Sequence, residues 1–160
     1  YKPIYFLCGE EPFFIDRLTA LLENTVLTED EKAFNQTVLY GNDVSMSTIT
    51  DTARRFPMMS ERQVVIVREA QNIRDFDNLL PYIDHYQNST ILVLAYKNKK
   101  PDKRKGVFKN SGILPIVFIS NRPNFMTTRF RNGSSVIVKK NHMESRLKQP
   151  VSWPKAWEPI

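Results

Sequence analysis

The first candidate for chemistry is the run Gly9-Glu10-Glu11-Pro12, which follows the apolar stretch Ile4 to Cys8 and precedes a helical pattern. A strand feeding a tight glycine loop and then a helix is where many proteins hold nucleotide phosphates. The free N–H groups and the dipole of the helix start attract anions there. That task takes several glycines, a lysine for the phosphates and a Ser or Thr for magnesium. The run offers one glycine, no Lys, Ser or Thr, and two carboxylates that repel an anion. It reads as a structural turn with an acid-favoured helix start, and no cofactor is expected.

Other reactive groups are scattered. His85 and His142 are the only histidines, and neither has a neighbouring Cys or a spaced His partner, so no metal site is expected. His85 reads as plain surface. Cys8 is the only cysteine, which excludes an internal disulfide, and its apolar surroundings mark it as a small buried hydrophobe. Glu29-Asp30-Glu31 reads as a solvated loop rather than an acid/base pair. No Gly-x-Ser-x-Gly, His-Glu-x-x-His or calcium-loop pattern occurs. The expectation is a chain without enzymatic activity of its own.

A different kind of signal lies in Phe56-Pro57-Met58-Met59, at the joint between a helical pattern and an apolar run. Connections run over the surface, and two large flexible apolar residues are unusual there. Methionine is pliable and polarisable, so the pair suits insertion into a pocket on another protein. The same pair would also serve to finish the core beside a buried strand. Composition and spacing leave both readings open.

The elements that must position these residues follow from periodicity. Ile4 to Cys8, Gln63 to Val67 and Thr90 to Ala95 are apolar runs without alternation, as expected for strands buried on both faces. A further strand is placed at Asn35 to Tyr40, before the turn signal Gly41-Asn42-Asp43. Phe14, Leu18, Leu21 and Leu22 define a helix face after Pro12, and Met46, Ile49, Ala53 and Phe56 define another after the cap Ser45. Asp75 is expected to cap a helix with Phe76, Leu79, Leu80 and Ile83, and Asp102 a basic helix through Lys103, Arg104, Lys105 and Lys109. Strand and helix alternate four times, which predicts an α/β fold with a parallel sheet flanked by helices.

The net charge of +6 is unevenly spread. Residues 1–110 carry 15 Lys+Arg and 15 Asp+Glu, so the last 50 residues hold the whole excess. No segment approaches a membrane span, and no signal peptide is read in Tyr1 to Leu7. The absence of an initiator Met is read as the mark of a fragment. A cytoplasmic location is expected.

Three stretches carry a family resemblance. They are Ile4-Tyr5-Phe6-Leu7-Cys8-Gly9-Glu10-Glu11-Pro12-Phe13-Phe14-Ile15, Arg55-Phe56-Pro57-Met58-Met59-Ser60-Glu61-Arg62-Gln63-Val64-Val65-Ile66-Val67, and Asp102-Lys103-Arg104-Lys105. In that order they resemble the delta subunit of the clamp loader of bacterial DNA polymerase III. The resemblance covers roughly residues 1–110. It implies a degenerate AAA+-type, P-loop-like domain without a functional phosphate loop, in a complex that serves a DNA-directed DNA polymerase during DNA replication. It implies that two adjacent apolar residues, here Met58 and Met59, plug a pocket on the sliding clamp and help its ring to open. Phe56 and Pro57 flank them. Partners would be the sliding clamp, the other loader subunits and, indirectly, DNA. Many relatives carry Leu or Phe at the two positions.

Residues 1–112 are thus read as the clamp-binding domain, and 113–160 as an atypical basic tail, poorly ordered, standing where relatives have a fifth strand and a helical second domain. Five of the ten prolines fall in this tail, which shows no helical period. A shifted reading frame in the coding sequence is the expected cause of the break. Taking the third base of each codon with the first two of the next turns Met126-Thr127 into Asp, Trp153-Pro154 into Ala and Trp157-Glu158 into Gly. From Arg122 onward the shifted string accommodates a Lys-Leu-Tyr-Asp…Trp pattern associated with the family's second domain. Ile116 to Ile119 is expected to pair as an improvised edge strand.

The alternative function is a basic nucleic-acid-binding module without a clamp-opening role, resting on the tail and on Lys97, Lys99, Lys100, Lys103, Arg104 and Lys105, with Lys99, Lys100, Lys103 and Arg104 as DNA or phosphate contacts.

Overall fold

A computed structural model describes residues 1–9, 11–98, 106–109, 116–119, 125–129 and 135–139. The strands are β1 (Ile4–Gly9), β2 (Gln36–Tyr40), β3 (Gln63–Arg68), β4 (Thr90–Lys97), β5 (Ile116–Ile119), β6 (Phe125–Arg129) and β7 (Ser135–Lys139). The helices are α1 (Pro12–Thr25), α2 (Glu29–Asn35), α3 (Met46–Ala53), α4 (Leu80–Asp84) and α5 (Gly106–Lys109). Short 3-10 turns cover Ala70–Asn72 and Phe76–Leu79.

The strands form one seven-stranded sheet in the order β2-β3-β4-β1-β5-β6-β7. Strands β1 to β5 run parallel, and β6 and β7 continue the sheet antiparallel. The α/β architecture with a parallel sheet flanked by helices is as the sequence predicts.

The lack of alternation in the central strands has a direct cause. Side chains along a strand point to opposite faces in turn, so a strand covered on both sides must be apolar throughout. Ile4, Phe6 and Cys8 of β1 join Val65, Val67, Leu92 and Leu94 on one face. Met46, Ile49 and Ala53 of α3, with Phe76, Leu79, Tyr82 and Ile83, close that face. Tyr5 and Leu7 join Val64, Ile66, Ile91 and Val93 on the other face, against Phe14, Ile15, Leu18 and Leu22 of α1. Each such burial stabilises by roughly 1.5–3 kcal/mol. Phe6 meets Phe76 edge-on with ring centroids 5.8 Å apart.

Cys8 is fully buried in the first layer, and desolvation pushes its thiol up to about 12. His85 is exposed at the end of α4.

Several local readings change. Glu29-Asp30-Glu31 is the first turn of α2 rather than a loop. Glu31 reaches back to accept the backbone N–H of Thr28 at 2.9 Å, the reciprocal arrangement of a capping box. Asn35 ends α2 instead of opening β2. Helix α3 stops at Ala53, so Phe56 is not on its buried face but is 77% exposed. Asp75 does not cap through its side chain. Its Oδ1 instead accepts from the Met46 backbone N–H at 3.1 Å, and the next residues form a 3-10 turn running into α4. Ile116–Ile119 is not an edge strand, because β6 pairs with its far side. Within 113–160 the strands β5, β6 and β7 are described, and the other residues of that segment lie outside the described ones.

Candidate functional site

The segment from 54 to 62 leaves the end of α3 and enters β3. It therefore lies at the end of the sheet where the parallel strands begin. Gly9 and Pro12, at the end of β1 and the start of α1, lie at the opposite end. The two features singled out in the sequence do not form one site.

Three of the exposed large hydrophobics among the described residues fall in this short loop: Phe56, Met58 at 62% and Met59 fully exposed. Pro57 is half-buried. The structure thus brings Phe56, Pro57, Met58 and Met59 together on one outward loop and takes the methionine pair out of the core. The other exposed large hydrophobics are Phe13, Phe34, Tyr40 and Tyr86.

Solvent would normally draw apolar side chains inward, so what holds the loop out matters. Its root is fixed by Gln63, a buried polar residue at the start of β3. Gln63 Nε2 donates to the carbonyl oxygens of Arg55 and Ala53 and, at 2.7 Å, to Thr90 Oγ1. Thr90 Oγ1 in turn donates to the Ala53 carbonyl at 2.8 Å. These bonds satisfy carbonyls that the end of α3 leaves open.

The tip is fixed by α2. Asn35 is buried, and its Oδ1 accepts the Met58 N–H at 2.6 Å while its Nδ2 donates to the Met58 carbonyl at 2.9 Å. Ser60 Oγ donates to Glu31 Oε1 at 2.8 Å. Hydrogen bonds from the Thr28 backbone first, then from the Ser60 and Thr28 side chains, hold the Glu31 carboxyl below its ordinary pKa. Met59 sits in the left-handed region at φ 51, a conformation that costs an L-residue roughly 1–2 kcal/mol. Such a conformation persists where surrounding contacts over-determine it.

The outward face of this arrangement is apolar, made by Phe56, Met58 and Met59. Among the described residues no group of three His, Cys, Asp or Glu could hold a metal ion. Its physical content is a pair of flexible, exposed apolar side chains on a braced loop. Sequence reasoning missed the brace. Asn35, Ser60 and the Gln63 side chain carry no motif; the available cues are the capping-box spacing Thr28-x-x-Glu31 and an Asn at a helix–strand junction, a type that bonds backbone groups readily.

Comparison with known proteins then decides the family. The sequence pattern described as DNA polymerase III, delta subunit, matches residues 5–111. The chain belongs to the DNA polymerase III delta subunit family. This delta-family chain is 26% identical over 117 residues to DNA polymerase III subunit delta of Bacillus subtilis (strain 168), covering 67% of itself and 34% of that relative. It also resembles the solved structure of the Bacillus subtilis DNA clamp loader delta protein (YqeN), with a TM-score of 0.63 and 25% identity, over 73% of itself and 38% of that chain. The chain spans about a third of the length of the curated relative it matches.

Lys99, Lys100, Lys103 and Arg104 of this delta-family chain lie outside the described residues. Lys97, just before them, pairs with Asp16. No helix among the described residues is long and apolar enough to cross a membrane.

Proposed function

We propose that this domain binds the bacterial sliding clamp through Met58 and Met59, flanked by Phe56 and Pro57, and helps open the clamp ring during DNA replication. The observation that carries the reading is the outward placement of both methionines on a loop braced at root and tip, in a chain of the delta family. Burying each side chain in a pocket would contribute roughly 1.5–3 kcal/mol. Two adjacent anchors form the kind of small cluster that dominates an interface.

Opening needs no hydrolysis by this chain. A wedge that fits the distorted ring better than the closed one shifts the ring's equilibrium by its difference in affinity. The loop Gly9-Glu10-Glu11-Pro12 lacks the lysine and hydroxyl of a phosphate loop, so nucleotide energy would enter through other loader subunits. DNA is engaged through the clamp and loader, and a cytoplasmic location follows from this role.

Sedimentation of the chain with a bacterial sliding clamp tests the proposal. A complex should form, and adding the chain should speed release of clamp from circular DNA. Failure to form a complex with the clamp ends this reading.

A further inference from the structure

The outward stance of the methionine loop depends on an element the family resemblance did not single out. Asn35 is 4% exposed, so its amide has no water to fall back on and its bonds must be made within the protein. Its oxygen and nitrogen close a ring with the backbone N–H and carbonyl of Met58. The same Nδ2 also donates to the Glu31 carbonyl one turn earlier in α2, at 3.2 Å. Glu31 in turn takes the Ser60 hydroxyl on the far side of the methionines. One helix thus grips the loop at 58 and at 60, and the residue between the two grips is Met59, held left-handed.

We propose that α2 is a splint for the clamp-binding loop and that Asn35 is its positioning residue, fixing the Met58–Met59 wedge before the partner arrives. This rests on the clamp-binding reading above. Asn35 touches no partner in this role. It acts through the methionines by sparing the ordering that an untethered loop would undergo on binding. Glu31 and Ser60 form the second grip.

The test is a double-mutant cycle with a purified bacterial sliding clamp. The chains compared are the parent, Asn35→Ala, Met58→Ala/Met59→Ala, and the triple variant. Asn35→Ala should weaken clamp binding at least about tenfold, the scale of one lost hydrogen-bonded tether. In the Met58→Ala/Met59→Ala background the same change should cost nothing further. Equal losses in both backgrounds, or no loss in the parent background, would overturn the proposal. Should Asn35→Ala fold poorly, Asn35→Asp keeps the acceptor for the Met58 N–H but sets a carboxylate oxygen against the Met58 and Glu31 carbonyls in place of the donor, and the same two outcomes apply to it. Hydrogen exchange of the Met58 amide separates this inference from the reading beneath it. If the parent binds no clamp, the function proposed above fails. The splint then still stands only if Asn35→Ala frees the Met58 amide while β3 and β4 amides stay protected, and it falls if Met58 protection is unchanged.

Discussion

Ser60 Oγ and Glu31 Oε1 lie 2.8 Å apart, joining the methionine loop to the first turn of α2. The Glu31 carboxyl is held below its ordinary pKa by its bonds from Thr28 and Ser60. A carboxyl with a lowered folded-state pKa contributes stability above its unfolded pKa and loses it as pH falls through the folded value. Acidification from the ordinary carboxylate range downward should therefore loosen residues 58–60. Hydrogen exchange of these amides as a function of pH checks this, with Glu31→Gln expected to remove the acid-dependent part. An unchanged pH profile in that variant would contradict the bond's role.

Cys8 gives the mirror case. Its thiol is pushed up to about 12 by burial, so at neutral pH it is protonated and shielded. Thiol reagents act on the thiolate and need access. Labelling of this single thiol should proceed only as fast as the domain opens, and denaturant should accelerate it. A raised folded pKa also means stability present at neutral pH and lost as pH rises through and above the ordinary thiol range. Rapid labelling of the native chain would show the β1 layer to be open.

Ile66 and Met59 are both large and apolar, yet one is wholly buried in β3 and the other fully exposed. Ile66→Ala leaves a cavity against α1 and should cost about 2–5 kcal/mol of unfolding free energy. Met58→Ala/Met59→Ala should change stability by no more than about 0.5 kcal/mol, the ordinary range for surface positions. Chemical denaturation of the two variants makes the comparison. A large destabilisation by the methionine pair would mean that they finish the core after all.

The parallel part of the sheet is legible in the sequence because β1, β3 and β4 are apolar on both faces and short enough for strands, whereas β6 and β7 carry no such signal. It exposed the Met58–Met59 loop as an anomaly, but spacing alone left the pair undecided between core and surface. Phe56 was misplaced for a local reason. It continues the helical spacing of Met46, Ile49 and Ala53, whereas the chain leaves the helix where Gln63 and Thr90 take up the last carbonyls. Those bonds join residues far apart in sequence, and no period reports them. Asn35 escaped for the same reason, its partner Met58 being 23 residues away.

The tail poses a question that nucleotides answer. The family match ends at residue 111, while β5, β6 and β7 extend the sheet beyond it. We propose that the coding sequence changes frame near this point. The shifted frame should run open past the codon of Ile160 and encode a continuation of the delta pattern. Stop codons in that frame would dismiss the idea.

The central claim is that Met58 and Met59 are the anchors for a sliding clamp. Calorimetric titration of a bacterial sliding clamp with the parent chain and with Met58→Ala/Met59→Ala tests it most directly. The parent should bind, and the variant, still folded, should lose about 100-fold in affinity, or ~2.8 kcal/mol. Equal binding by the two chains would contradict the account and place the contact elsewhere on the domain.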